Sequence, residues 1–430
     1  MSSMIASKQT PLMSGIVWNI CSLGFLALAG LFLNFAIARF YGSQVLGVFN
    51  VAFALYIFAS QFGVFGIHLS IMQHVSAHYN DPENDISESS TAALLLTTLV
   101  STVVTIIVFF AIPWVVEFYG DRAVGIGKAC YAILPGLWAF SINKVLYSII
   151  NGARMMRTFA VLSALRYVFM LLSFFVMIMI DIPGEYLTIV FSFSELALIV
   201  ILFYFATKTI GRWRIRDLWA FVKNHIWFGS RVFMSGAVLE LNTRVDVLMI
   251  AYFLNAKMAG IYTIAALIAE GVGRLVFAVR TNFNPIIGRA VKTGEPDGLL
   301  SLSRKSVILF PGLMLFVSII AYLLFPLFCK LMFNDPDYLQ SQFPLAILLM
   351  GITASSGLLT FNMILSQAKR PASHTIFVMI VLSVNIVINL ICVPRFGIVG
   401  AAIGTSVSFI VSGLLTLILA RVLLKIRLVF

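Results

Sequence analysis

Ala38-Arg-Phe-Tyr-Gly-Ser-Gln-Val-Leu-Gly-Val-Phe49 recurs 213 positions later as Ala251-Tyr-Phe-Leu-Asn-Ala-Lys-Met-Ala-Gly-Ile-Tyr262. In each copy an apolar run ends, a short polar turn follows, and Gly and then an aromatic residue open the next apolar run. A fainter echo lies further on. Ile150-Asn-Gly-Ala-Arg-Met-Met-Arg157 and Ser366-Gln-Ala-Lys-Arg-Pro371 each separate two hydrophobic runs, about one repeat apart. The chain therefore reads as two related halves. In a membrane protein, a repeat of this size puts a substrate path where the halves meet, which points to transport.

Composition agrees. Of 430 residues, 61% are hydrophobic and 11% charged, and the mean hydropathy is +1.02. Soluble domains do not have this composition. Twelve runs are long enough to cross an apolar core of about 30 Å: 14–40, 45–77, 91–117, 127–150, 158–180, 185–207, 226–254, 257–288, 304–328, 341–367, 372–393 and 398–424. The expected fold is an all-α polytopic membrane protein. The run at 45–77 exceeds what one crossing needs, so it tilts or protrudes. The first run follows a single Lys8 and is too long for a signal-peptide core, so it reads as a retained first helix. Cys21, Cys130, Cys329 and Cys392 are scattered and show neither metal-ligand nor disulfide spacing.

A net charge of +12 raises nucleic acid as a partner, but its distribution excludes one. With the N-terminus inside, sixteen Lys and Arg fall in inner loops and tails and six in outer loops. The positive-inside rule then places both termini in the cytoplasm. The loop His78–Thr91 dissents, with Asp81, Glu83, Asp85, Glu88 and no cation, but acidic residues weigh little in that rule. The halves are 1–207 and 226–430, six spans each, so the repeat is parallel. The joint, 208–225, holds Arg212-Trp-Arg-Ile-Arg216 and Trp219, a pattern suited to a cytoplasmic membrane interface or to a loop that only fixes topology.

No phosphate-binding glycine loop, Ser-His-Asp set, Cys-His set or clustered metal ligands occur, so neither an enzyme nor a cofactor is expected. Uphill movement would need an ion gradient or removal of the product.

Charges within the expected spans are costly, roughly 2.5–3.5 kcal/mol each at the bilayer centre. The first half has Lys144, Arg166 and Glu195; the second has Arg231, Glu240, Arg244, Asp246, Glu270, Arg274 and Arg280. Glu240 and Arg244 share a helix face, as do Glu270 and Arg274. Asp246 diverges from Arg244 by about 200°, so it must meet another helix or the opposite wall. Two readings stand: each Glu–Arg pair neutralises itself for insertion, or the set lines a cationic cavity with embedded carboxylates. Self-pairing along one helix leaves Lys144, Arg166, Arg231 and Arg280 unexplained. Gln61 and His68, seven apart, fall on one face of a continuous helix.

At these residues the chain resembles the polysaccharide-transport branch of the multidrug/oligosaccharidyl-lipid/polysaccharide exporter superfamily, specifically the O-antigen flippases. The stretches are Ala38-Arg-Phe-Tyr-Gly42 with Leu46-Gly-Val-Phe49, Asn151-Gly-Ala-Arg154, Leu241-Asn-Thr-Arg-Val-Asp-Val-Leu-Met249, Ala259-Gly-Ile-Tyr-Thr-Ile-Ala-Ala266 and Val393-Pro-Arg-Phe-Gly-Ile-Val-Gly-Ala-Ala402. The resemblance implies a V-shaped pair of six-helix bundles around a central cavity. It implies as cargo an oligosaccharide repeat unit on undecaprenyl pyrophosphate, turned across the bacterial cytoplasmic membrane by alternating access. Membrane lipids, a polysaccharide polymerase and chain-length machinery would be its partners. A pyrophosphate needs cations, and Arg166, Arg231, Arg244 and Arg274, backed by Lys144 and Arg280, are the candidates. Glu240, Glu270 and Asp246 are the candidates for proton or sodium coupling. A drug or metabolite exporter of the same superfamily is the alternative, though a basic interior suits cationic drugs poorly. An O-antigen polymerase would need a large outer loop, and these loops are short.

Overall fold

The computed structural model describes residues 12–79, 81, 86–293 and 297–429. Lys8, Glu83 and Asp85 lie outside them. The described chain is helix joined by short turns, with no strand among the described residues. In order the helices are α1 (Leu12–Val64), α2 (Ile67–His78), α3 (Ile86–Tyr119), α4 (Ile126–Gly152), α5 (Met156–Met179), α6 (Ile189–Ile210), α7 (Leu218–Phe253), α8 (Ala256–Thr293), α9 (Asp297–Met332), α10 (Gln342–Leu359), α11 (Ile364–Gln367), α12 (Pro371–Phe396) and α13 (Ile398–Leu424).

Ten helices among the described residues are long and apolar enough to cross a membrane. One of these, Cys21–Val64, runs through a kink at Gly42 (φ 81°) and holds most of the first expected span and the start of the second. α7 supplies the span expected at 226–254, and its charged residues keep it below the hydropathy of the others. Every expected crossing falls on helix, two of them with a break, and the chain is a multi-pass membrane protein that is helical throughout its described spans. The overlong run at 45–77 is not a single rod. It breaks at Phe65–Gly66, both left-handed (φ 47° and 70°), and α2 resumes beyond. The run at 341–367 also breaks, at 360–363 between α10 and α11.

The helices group into two compact units. Residues up to Ala36, Val51–Gly120 and Val124–Glu240 form the first; Ile37–Asn50, Asp121–Ala123 and the chain from Leu241 form the second. In the first unit α4 is the central helix, packed on α6, α3 and α2. Its Val145, Leu146 and Ile149 meet Ile67 and Ile71 of α2 and Leu198 and Leu202 of α6 in one apolar core. In the second unit α10 holds that place, against α13, α9 and α8. Small residues let backbones approach without a hydrophobic drive between helices in lipid.

The repeat is legible in these contacts within each unit separately. Gly136 of α4 lies against the Ser192 backbone of α6, and Gly351 of α10 against Ser406 of α13. Ser192 Oγ donates to the Ala132 carbonyl at 2.6 Å, and Ser406 Oγ to the Ile347 carbonyl at 2.8 Å. The fainter echo is conformational as well. Arg154 and Lys369 are both left-handed (φ 58° and 56°) and close equivalent turns: Met155 N donates to Ile150 O and Arg370 N to Leu365 O. The opening phrase does more, because its two copies touch. Both lie in the second unit, and a Cβ on Gly47 would stand 3.0 Å from Gly260 N, one on Gly260 2.9 Å from Gly47 N. Each would also overlap a carbonyl, of Ala256 and Ser43 respectively. Glycine is required at both positions by this close approach.

Candidate functional site

A charged, hydrogen-bonded polar centre interrupts the apolar interior of each unit. In the first unit, Glu195 of α6 is fully buried and forms an ion pair with Arg166 Nε of α5, whose side chain is 17% exposed. Asn143 of α4 clamps Glu195 from the other side, its Nδ2 donating to Oε2 at 2.8 Å and to the backbone oxygen at 2.9 Å. The Arg166 guanidinium lies 4.5 Å from the centre of the Phe140 ring. Lys144 Nζ is 4.5 Å from the same ring centre and donates to Ser60 Oγ at 3.3 Å. Glu240 is an electrostatic neighbour of Lys144. Arg231, exposed on α7, stacks 3.3 Å above Trp227 one turn earlier.

Gln61 and His68 do not share a helical face by their spacing, because the chain breaks between them at Phe65–Gly66. Gln61 is buried; His68 is half-buried, and its Nδ1 has no hydrogen-bond partner among the described residues.

In the second unit Asp246 of α7 points away from Arg244 and into three other helices. Asn389 Nδ2 of α12 donates to its Oδ1 at 2.7 Å, Tyr262 Oη of α8 to its Oδ2 at 3.2 Å, and Thr405 Oγ1 of α13 also to Oδ2. Asn389 Nδ2 further donates to Asn385 Oδ1 at 2.9 Å. Asn389 Oδ1 is buried without a hydrogen-bond partner among the described residues, against Gly404, where a Cβ would fill the space. The centre is thus rich in oxygen and holds one carboxylate. No group of three His, Cys, Asp or Glu side chains fit for a metal occurs among the described residues.

The other charged candidates lie apart from this centre. Glu270 and Arg274 pair along α8 at 2.6 Å, each 54% exposed. Arg280 donates to Asn362 Oδ1 at 3.1 Å, in the break between α10 and α11, and lies over Phe277. Arg244 is half-buried on α7. A half-exposed ion pair on a span needs water or protein beside it rather than hydrocarbon.

The repeat gives these centres their meaning. Each exists in one half only. With the offset of 213 set by the opening phrase for α7, of 215 set by Arg154 and Lys369 for α12, and of 214 set by Ser192 and Ser406 for α13, Asp246, Asn385, Asn389 and Thr405 correspond to Leu33, Met170, Phe174 and Phe191, all buried. One repeat after Asn143, Arg166 and Glu195 stand Leu358, Val381 and Phe409. The fold accepts apolar side chains at both places, so neither centre is needed to pack it. A buried ion pair is weak evidence of stabilisation in any case.

The family described as "Polysaccharide biosynthesis protein" matches residues 12–291, well over half of the chain. The chain belongs to this family. An uncharacterized membrane protein of Methanocaldococcus jannaschii is 22% identical, over 93% of this chain and 82% of its own length. Among solved structures, the lipid II flippase MurJ in an inward closed conformation is similar with a TM-score of 0.76 and 18% identity, over 94% of this chain and 87% of that one. An inward-facing multidrug resistance MATE family transporter of the MOP superfamily is similar with a TM-score of 0.72 and 11% identity, over 93% and 94%. These likenesses show that the family member described here shares the helical-bundle fold of those structures.

Sequence reasoning found Asp246, Arg166 and Lys144 but missed the polar residues that hold them: Asn143, Ser60, Tyr262, Asn385, Asn389 and Thr405. A signal for two of these existed. Asn385 and Asn389 are four apart in Pro371–Phe396, whose mean hydropathy of 2.8 is the highest of the ten spans, and amides there need partners.

Proposed function

We propose that this protein is a flippase that turns undecaprenyl-pyrophosphate-linked oligosaccharide repeat units, of O-antigen or a similar surface polysaccharide, across the bacterial cytoplasmic membrane by alternating access. The observation that carries the reading is the pair of one-sided polar centres, which a transporter fold with an apolar alternative at each place retains. Cations within spans suit a pyrophosphate, the part of such a cargo that hydrocarbon tolerates least. Lys144, Arg231, Arg244 and Arg280 are the proposed anion holders. Arg166 and Arg274 belong to the same proposed set. Both termini lie in the cytoplasm, and a polymerase with its chain-length machinery takes the product.

Asp246 is the proposed coupling group. Its carboxylate, Asn385 Oδ1, the unpartnered Asn389 Oδ1, Thr405 Oγ1 and Tyr262 Oη form an oxygen set that fits a proton or a hard cation such as sodium. Glu240 and Glu270 are secondary candidates.

The test is deletion of the gene, with surface glycan profiled by gel and membranes assayed for lipid-linked oligosaccharide. Loss of surface polymer with single repeat units trapped on the cytoplasmic face is the expected result, and Asp246→Asn at normal protein level reproduces it. Repeat units that reach the outer face without polymerising would assign a polymerase instead. An unchanged surface with new sensitivity to cationic drugs would assign an exporter.

A further inference from the structure

α8, α11 and α13 finish at one end of the second unit, and a cavity of about 360 Å³ opens between their last turns. Six of its eight lining residues are apolar, among them Ala290, Val291, Leu424 and Ile426, while polar atoms supply the larger share of its open surface. Two exposed cations rim it, Arg370 and Lys425. We propose that this cavity binds the phosphate headgroup of an anionic phospholipid, with the acyl-glycerol part against the apolar wall. The proposal does not rest on the flippase reading.

The rim is built rather than incidental. Lys425 ends α13 in the left-handed conformation (φ 57°), and the chain beyond it folds back. Ile426 N donates to Ala420 O, Ile426 and Leu428 are buried, and Val429 N donates to Ser303 Oγ at 3.0 Å. Arg304 Nε holds the Val429 carbonyl at 3.0 Å. Arg370 follows a second left-handed lysine, Lys369 (φ 56°), in a turn closed by its own N–H on Leu365 O. Glycine is the usual and cheaper residue at such positions. Two lysines there keep cations at the helix ends at some conformational cost. α12 begins at Pro371, so its N-terminal dipole adds positive potential beside Arg370, while the rim cations offset the negative C-terminal ends of α8 and α13.

The chemistry selects the occupant. Phosphate oxygens are what arginine and lysine recognise best. Arg289 and Lys292 in the last turns of α8 and Arg427 just beyond α13 add positive charge at these helix ends. Neither Arg370 nor Lys425 has an ion pair or side-chain hydrogen bond with a described residue, so both are available to a ligand. Free phosphate would leave the apolar wall unused, whereas a phospholipid uses both parts. The ends of membrane spans are also where lipid headgroups lie, and basic pockets between helices at that depth bind anionic ones.

The experiment is native mass spectrometry of the purified full chain equilibrated with equal amounts of phosphatidylglycerol and phosphatidylcholine. Wild type retains phosphatidylglycerol preferentially. The Arg370→Gln/Lys425→Asn variant loses that preference about thirtyfold, the effect of removing two cations from an anionic contact. Asparagine tolerates the left-handed turn, so the thermal midpoint in neutral detergent stays unchanged. Should that variant misfold, Arg370→Gln alone, on an exposed side chain, loses about fivefold. Equal retention of the two lipids by wild type, or an undiminished preference in a folded variant, overturns the proposal. Inorganic phosphate that displaces the lipid at equal concentration overturns the choice of a phospholipid.

Discussion

Replacing Glu195 by Gln removes one charge and keeps the shape of the side chain. In the native protein Glu195 is fully buried, paired with Arg166 and clamped by Asn143 at 2.8 and 2.9 Å. The variant leaves Arg166 in place without its counter-ion, and a side chain that is 17% exposed gains little water in exchange. Breaking a buried pair from one side costs about 3–5 kcal/mol. The Phe140 ring, 4.5 Å from the guanidinium, still supports the cation, by roughly 0.5–2 kcal/mol. That places the expected loss at the lower end, about 3 kcal/mol. For a body of 150–250 residues such a loss lowers the thermal midpoint by roughly 6–12 °C, read on purified protein in neutral detergent. Adding Arg166→Met removes the orphaned charge, and the double variant is expected to return to within about 1 kcal/mol of wild type. Surface glycan on cells carrying the double variant then separates two roles for Arg166. Restored display means that it only neutralises Glu195; lost display in a stable protein means that it contacts the cargo. A Glu195→Gln midpoint within a degree or so of wild type, or a double variant no more stable than the single, would refute the reasoning.

Two further outcomes follow from the backbone. Gly47→Ala and Gly260→Ala each drive a Cβ into a carbonyl, so each is expected to destabilise by about 1–3 kcal/mol or more. Gly271→Ala, on the same helix as Gly260 but with open space around it, should gain about 0.5–1 kcal/mol; equal effects in denaturation curves of Gly260→Ala and Gly271→Ala would show that the crossing is not tight. Arg154→Gly and Lys369→Gly relieve a left-handed conformation and are expected to stabilise by about 1 kcal/mol each. A lowered thermal midpoint for both would mean that these cations make a contact worth more than the strain.

The crossings were legible in the sequence because the constraint on them is local. A segment must be apolar over the thickness of the hydrocarbon and must satisfy its own backbone, and both conditions act on consecutive residues. The Glu270–Arg274 pair was legible for the same reason, since its partners sit one turn apart on one helix. The repeated turns were legible because glycine and left-handed positions constrain residue type directly.

Periodicity failed where a helix did not continue. A spacing of seven places Gln61 and His68 on one face only of an unbroken helix, and the break at Phe65–Gly66 removes that geometry. No helical spacing explained Arg166, because its counter-ion comes from the next helix, on Glu195. Asp246 could be seen to need a partner off its own helix, but not that Asn389 and Thr405, 143 and 159 residues further along, would supply it. Which helices become neighbours is set by the summed packing of small residues such as Gly136, Gly351 and Gly404. A buried charge is therefore announced by its position in an apolar run, while the groups that make it tolerable are chosen only when the helices close around it.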